Sequence, residues 1–179
     1  MESYISWVTE YPLLSAAIQF SLLGTLGEVL SGVIRSRKLQ LSFSPIMLLG
    51  KMLVWAVLGI VIKYGFTGMR GFVNGLLEHQ MLPAIVSSGI GFAFVLSTLT
   101  NVFFGPQMMF FHRLEDNLLE RRINFGGIDR ALWTLLWFWI PAHTITFALP
   151  KEYQIGLASV WSVALGIILG LSAPKSQKV

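Results

Sequence analysis

The sequence contains no cysteine and few charged residues. The absence of cysteine from all 179 residues excludes disulfides, iron–sulfur clusters and zinc sites with thiolate ligands. Charged residues make up only 12% of the chain, about half the share in a typical soluble domain. Metalloprotease, phosphate-loop and dinucleotide-binding motifs are also absent. We therefore expect neither an enzyme nor a bound cofactor.

Long apolar stretches fill most of the chain, which is 54% hydrophobic and has a mean hydropathy of +0.67. A helix needs about 20 residues to cross the roughly 30 Å hydrocarbon core of a bilayer. No water satisfies backbone groups there, so apolar stretches of this length must be helical. The sequence predicts an all-α, multi-pass membrane protein with one domain and five spans, at about 12–34, 46–67, 84–111, 131–149 and 155–172.

Basic residues follow alternate apolar stretches and so indicate the orientation. The opposite side receives only Arg70 and Lys151. The basic residues that follow the first, third and fifth stretches are Arg35, Arg37, Lys38, Arg113, Arg121, Arg122, Arg130, Lys175 and Lys178. The positive-inside rule places the N-terminus outside and the C-terminus in the cytoplasm or matrix. A single interrupted span over 131–172, giving four spans in all, would weaken this bias without reversing it.

The basic character of the chain has the same explanation. The pI is about 9.6, but the excess charge lies in the loops that the topology places inside. The expected partner is therefore the lipid bilayer and not nucleic acid. The N-terminus lacks a basic segment and the first stretch is too long for a signal-peptide core, so we expect it to remain uncleaved.

Two segments interrupt the apolar pattern. Gly68–Gln80 is too polar and too rich in glycine to span, which indicates a surface or re-entrant segment on the outer side. Gly105–Pro106 falls within the third stretch. Proline removes a backbone hydrogen bond and clashes with the preceding turn, so we expect a break there, with Pro106 opening a new helix.

Small residues line one face of the first stretch around a carboxylate. The residues of this face are Gly24, Gly27, Glu28, Ser31 and Gly32, spaced i, i+3, i+4, i+7 and i+8. A similar stripe on the fifth stretch consists of Ser162, Gly166 and Gly170. Because small residues let membrane helices approach closely, both faces are predicted to be helix-packing seams.

Glu28 needs a partner, a wet cavity or a proton, because a charge well inside the bilayer costs about 2.5–3.5 kcal/mol on insertion scales. At 1.5 Å per residue it lies about 10 Å below the inner surface, and Lys51 on the next, antiparallel span lies about 9 Å deep. We predict an intramembrane ion pair between them. The pair either fixes the register of two helices or lines a solute path.

Further polar residues fall in the middle third of the membrane. Asn101 shares a helix face with Ser97, and His143 shares one with Thr146. Together with Glu28 and Lys51, these residues would line a narrow hydrophilic path. For His143 the alternative is a neutral imidazole that is hydrogen-bonded to a threonine or to a backbone carbonyl.

The run from His112 to Asp116 has two interpretations. Its imidazole and carboxylates would suit a metal or acid–base site at the inner face, and a membrane enzyme would use His112 and Asp116. A solvated, charged helix end explains the run better. We therefore predict no metal ligand.

Short motifs along the chain resemble those of a known family. The motifs are Tyr11–Pro12, Gly27–Glu28, Thr100–Asn101 with Pro106, and Ile140–Pro141 followed by Thr144, Thr146–Phe147 and Leu149–Pro150. They resemble the Mpv-seventeen and peroxisomal membrane protein family, small integral membrane proteins of mitochondria and peroxisomes with bacterial relatives. The family's Gly-Pro-x-x-His-x-Trp-Tyr motif has no counterpart here, and the family is usually drawn with four spans.

The resemblance implies a pore-like or solute-permeation role without a cofactor. Our leading hypothesis is a channel-like or solute-transport protein whose path is bordered by Glu28, Lys51, Asn101 and His143. Five thin helices enclose no wide pore, so we expect a homo-oligomer that forms through the small-residue faces. The alternative is a non-catalytic subunit or substrate-binding component of a larger membrane complex. A bacterial inner membrane is the favoured location and an organellar membrane the second.

Overall fold

The computed structural model describes residues 2–37 and 43–171, and this part of the chain is helical without a strand. Its helices are α1 (Glu2–Glu10), α2 (Pro12–Ser36), α3 (Pro45–Glu78), α4 (Gly89–Glu120), α5 (Ile128–Ala148) and α6 (Lys151–Leu171), with a short 3₁₀ turn at Ala84–Val86. Helices α2 to α6 are each long and apolar enough to cross a membrane. The predicted all-α, multi-pass fold with five spans is confirmed. The orientation stays a prediction, and Lys38, Lys175 and Lys178, on which it partly rests, lie outside the described residues.

Helix α3 is longer than the sequence predicts. Of the two alternatives for Gly68–Gln80, the re-entrant segment is wrong, because α3 continues as regular helix to Glu78, while a location at the surface stays a prediction. Its 34 residues extend about 51 Å, about 20 Å more than a hydrocarbon core requires. The extension is packed on one side: Val73 is fully buried, and Arg70 Nη2 donates a hydrogen bond to Gln154 Oε1 on α6 over 3.2 Å.

Helices α4 and α5 each contain a π-helical segment that ends just before a proline. The segment Thr100–Phe104 leads into Gly105–Pro106, and Leu135–Trp139 leads into Ile140 and Pro141. The α-helix is interrupted where expected, and Pro106 lies in the first turn of the α-helical segment Gly105–Glu120, but the chain stays helical from Gly89 to Glu120 instead of breaking into two helices. The wider π turn accommodates the missing N–H and the ring of a proline without ending the helix.

Helix α2 is the centre of the bundle. It packs along α3 on one side and α6 on the other, while the first half of α4 packs against the last part of α5. The core residues are apolar and come from all five spans: Ala16, Phe20, Phe66, Val73, Ala93, Leu96, Phe147, Ile155 and Ala158. Apolar side chains at i, i+4, i+8 and i+12 of α2 face outward, namely Leu14, Ile18, Leu22 and Leu26. Such a stripe suits contact with lipid.

The two small-residue faces pack against each other within the chain. A Cβ on Gly27 would lie 2.8 Å from the carbonyl oxygen of Ser162, and one on Gly166 would lie 2.7 Å from the carbonyl carbon of Gly27. Gly170 similarly meets the backbone of Ser31 at 3.0 Å. Gly32 lies on α2 one residue further and is half-buried. These faces are occupied by the α2–α6 contact, so the expected route to an oligomer through them is wrong.

Helix α1 is anchored to the bundle by Tyr4. Its hydroxyl donates to Gln19 Oε1 over 3.0 Å, and its ring stacks on Tyr153 with centroids 6.0 Å apart. Burial raises the pKa of the Tyr4 phenol above its usual value, which keeps the hydroxyl protonated as a donor. The N-terminal segment is thereby tied to α2 and α6.

Candidate functional site

A cluster of charged side chains lies where α2, α3 and α4 meet, near the end of the bundle that carries Arg35 and Arg122. We call it the Lys51 cluster; its members are Glu28, Lys51, His112, Asp116 and Glu120. Lys51 Nζ lies 3.1 Å from Glu28 Oε2, 2.7 Å from Asp116 Oδ1 and 3.6 Å from Glu120 Oε1. The lysine side chain is only 4% exposed. The predicted Glu28–Lys51 pair is present, and two more carboxylates complete the shell around the ammonium group.

Helical spacing explains how these side chains converge. On α3, Lys51 and Trp55 are four residues apart and both reach Glu28: Trp55 Nε1 donates to Glu28 Oε1 over 2.7 Å. Gly24 of α2 lies directly against the Trp55 ring and leaves room for it. On α4, residues 112, 116 and 120 repeat every four positions and so project from one face. This spacing was visible in the sequence, but a helix broken at Pro106 would have carried these residues into the loop.

His112 stands on the other side of the carboxylates from Lys51. Its Nε2 lies 4.0 Å from Glu28 Oε1 and 4.0 Å from Asp116 Oδ2, the oxygens that do not face Lys51. Its ring contacts Trp55 with centroids 4.8 Å apart. Its Nδ1 is buried without a hydrogen-bond partner in the described part of the chain. The His112 imidazole is thus fixed by packing and keeps its hydrogen-bonding capacity.

The Lys51 cluster contains more negative than positive charge. The three carboxylates of Glu28, Asp116 and Glu120 surround the single ammonium group of Lys51. Arg122 Nε donates to Glu120 Oε2 over 2.6 Å, but the Arg122 side chain is 59% exposed and lies at the edge. Unbalanced charge at membrane depth is costly, so this excess favours taking up a proton or a cation.

Asn101 and His143 form a second polar group. Asn101 Nδ2 lies 3.1 Å from His143 Nδ1 and donates to the Ser97 backbone oxygen over 2.8 Å. Ser97 Oγ donates to the Ile140 carbonyl over 2.7 Å, which ties α4 to α5 beside both π-helical segments. The expected hydrogen bond of His143 to threonine or to a carbonyl is replaced by this contact with the Asn101 amide.

Thr146 belongs to neither polar group. It is fully buried, donates to the Ala142 carbonyl over 2.9 Å and accepts from Trp161 Nε1 over 3.1 Å. Thr146 therefore links α5 to α6.

The four predicted path residues divide between these two groups. On α3, Trp55 contacts Glu28 in the Lys51 cluster, and Phe66 packs edge-on against His143. These two α3 residues are separated by about 16 Å of helix. Phe20 and Phe66 are both buried in the apolar core. The predicted path residues thus form two separate polar groups along the length of α3, with apolar core side chains between them.

Comparison of the chain with protein-family models, with characterised proteins and with solved structures finds no match. The resemblance to the Mpv-seventeen and peroxisomal membrane protein family therefore stays a prediction. The fold and site together define a multi-pass helical membrane protein with a charged cluster at one end of its bundle.

Proposed function

We propose that the protein is a channel-like or solute-transport protein that uses the Lys51 cluster and the Asn101–His143 group as polar stations across the membrane. The Lys51 cluster is the observation that carries this proposal. Ionisable groups within membrane spans are expensive and typically mark ion or substrate paths. A purely structural ion pair requires one acid and one base, whereas here three carboxylates surround a single ammonium group.

The excess of negative charge in the Lys51 cluster predicts the charge of the transported solute. A path that passes three carboxylates concentrates cations and repels anions, so the protein should prefer cations. The resemblance described above points to the same class of function. A bacterial inner membrane remains the favoured location. A homo-oligomer, if formed, uses a surface other than the occupied small-residue faces.

Glu28→Gln is expected to reduce the cation preference of the protein in planar bilayers. We expect a reproducible single-channel conductance from the purified wild type and about a tenfold lower cation-to-anion permeability ratio in the variant, equivalent to about 1.4 kcal/mol of lost attraction. Reversal potentials in a salt gradient measure this ratio. Glu78→Gln is the matched control, because Glu78 is exposed at the far end of α3. Silence from folded wild-type protein would contradict the proposal.

A second candidate function is that of a non-catalytic subunit or substrate-binding component of a membrane complex. The extension of α3 favours it. Gly68 and Gly71 lie on an exposed face of this extension, and a Cβ at either position would meet no described atom within 4 Å. A bare face of small residues beyond the span is suited to close contact with another chain.

Gly71→Trp tests this second candidate. If the protein is a subunit, a second protein should co-purify with it in a fixed molar ratio, and Gly71→Trp should abolish the association. The bundle itself should keep its stability, because Gly71 is exposed and a Cβ there meets open space. Quantitative mass spectrometry after mild solubilisation gives the ratio. A wild type that purifies alone, or a partner retained by the variant, would count against the subunit function.

A further inference from the structure

We propose that Glu28, His112 and Asp116 bind a divalent first-row transition-metal cation. An oxygen of each carboxylate and a ring nitrogen of His112 all lie within 4.8 Å of one another. The centre of a triangle with sides of 4.0 to 4.8 Å lies about 2.3–2.8 Å from its corners. Zn²⁺ ligand distances of about 2.0–2.2 Å are reached if each side chain moves by about half an ångström.

The donor set defines the class of ion. One imidazole and two carboxylates are typical ligands for Zn²⁺ and Mn²⁺, whereas Ca²⁺ and Mg²⁺ prefer oxygen ligands alone. His112 Nε2 faces one oxygen of each carboxylate at 4.0 Å, and a neutral imidazole with its proton on Nδ1 turns the Nε2 lone pair toward a metal placed between them. His112 and Asp116 come from one face of α4, and Glu28 comes from α2, so bound metal would clamp the two helices.

The charge balance supports a cation. The three carboxylates of the Lys51 cluster exceed its one ammonium by two negative charges, and the exposed guanidinium of Arg122 offsets one of these at Glu120. A bound cation offsets the negative charge that remains. Each of Glu28 and Asp116 already turns one oxygen to Lys51 and the other toward His112, so a metal can bind on the His112 side while Lys51 keeps its contacts.

This inference deepens the proposed function, because it names the class of cation that would pass along the path. Transport of the metal rests on the proposed function, whereas binding of the metal does not. Metal binding to the purified full-length chain in detergent is measured without any transport. Metal binding without conductance would overturn the proposed transport function and leave the metal site standing. Conductance without binding would overturn the site and leave transport.

The test is Zn²⁺ titration of the metal-free protein by calorimetry. We expect one saturable Zn²⁺ per chain, with affinity at least about tenfold weaker in His112→Phe and in Asp116→Asn, as for loss of one ligand. Phenylalanine retains the packing on Trp55, and asparagine retains an acceptor for Lys51. His79→Ala is the control for adventitious surface binding, because His79 is exposed at the opposite end. Wild type without saturable binding, or binding lost in His79→Ala and retained in His112→Phe, would overturn the site.

Lys51→Met supplies a second measurement, in which the variant is expected to respond to Zn²⁺ more strongly than the wild type. Zn²⁺ should raise the thermal unfolding midpoint of this variant more than that of the wild type, because the metal replaces the missing positive charge. An equal or smaller rise in the variant would contradict the assignment. This readout remains informative even where a ligand variant folds poorly.

Discussion

Lys51→Met is expected to lower the free energy of unfolding by about 3 kcal/mol in metal-free detergent solution. Removing one partner of a buried ion pair costs about 3–5 kcal/mol, because the opposite charge is left uncompensated. The lower end applies here, since the three carboxylate side chains keep 16–23% exposure. Unfolding in mixed micelles with increasing SDS measures the change. Lys63→Met, a half-buried lysine further along the same helix, should stay within about 1 kcal/mol of wild type.

The carboxylates around Lys51 make a graded rescue possible. Adding Glu28→Gln to Lys51→Met should recover only part of the lost stability, because Asp116 and Glu120 still face the methionine. Adding Asp116→Asn as well should recover more. Residues that interact directly give non-additive changes of about 0.5–3 kcal/mol in such cycles. Variants whose stability losses simply add would show that these groups do not interact, and would contradict the geometry of the cluster.

The Glu28–Lys51 contact could be predicted from the sequence, while the rest of the cluster could not. Both residues lie at counted depths on consecutive antiparallel helices, so helical rise alone brings them level. Asp116 and Glu120 depend on a different question, namely whether the helix continues through Pro106. Proline usually ends or kinks a helix, and nothing local shows that a π-helical segment will absorb it. Because this π-helical segment keeps the chain helical, the turns of α4 that follow it bring Asp116 next to Lys51.

The extension of α3 shows tertiary packing overriding local propensity. Four glycines between Gly65 and Gly75 weaken an isolated helix by about 1 kcal/mol each relative to alanine. In the structure, Arg70 lies 5.4 Å from the Phe92 ring while it pairs with Gln154, and Val73 is completely buried. These contacts come from α4 and α6, which are distant in sequence. A sequence pattern over a dozen residues cannot contain them.

The small-residue faces could be predicted as seams but not with their partners. The spacing of Gly24, Gly27 and Ser31 shows that some helix approaches α2 closely. It does not show whether that helix belongs to the same chain or to a second copy. In the structure one face of α2 meets two neighbours, Trp55 of α3 at Gly24 and the α6 backbone at Gly27. Only the three-dimensional arrangement distinguishes these contacts.

Gly166→Leu is expected to destabilise the bundle by about 3 kcal/mol, the upper part of the range for an overpacked core. A Cβ at this position would come within 2.9 Å of the Gly27 Cα and closer still to its carbonyl group. Backbone atoms of a helix cannot move aside as a side chain can, so α2 and α6 must separate along the seam. The SDS unfolding titration used for Lys51→Met measures the change, and the Lys51 cluster should loosen with it because Glu28 is next to Gly27.

Gly71→Leu is the matched control, since it makes the same substitution on a bare helix face. No described atom lies within 4 Å of a Cβ at Gly71, so leucine has space there. Leucine is the better helix former by about 0.8 kcal/mol, and the variant should be as stable as wild type or slightly more stable. If Gly166→Leu were equally well tolerated, the close α2–α6 contact could not be the seam that holds the bundle. If only Gly166→Leu lowers the stability, the bundle depends on the close contact between the backbones of α2 and α6.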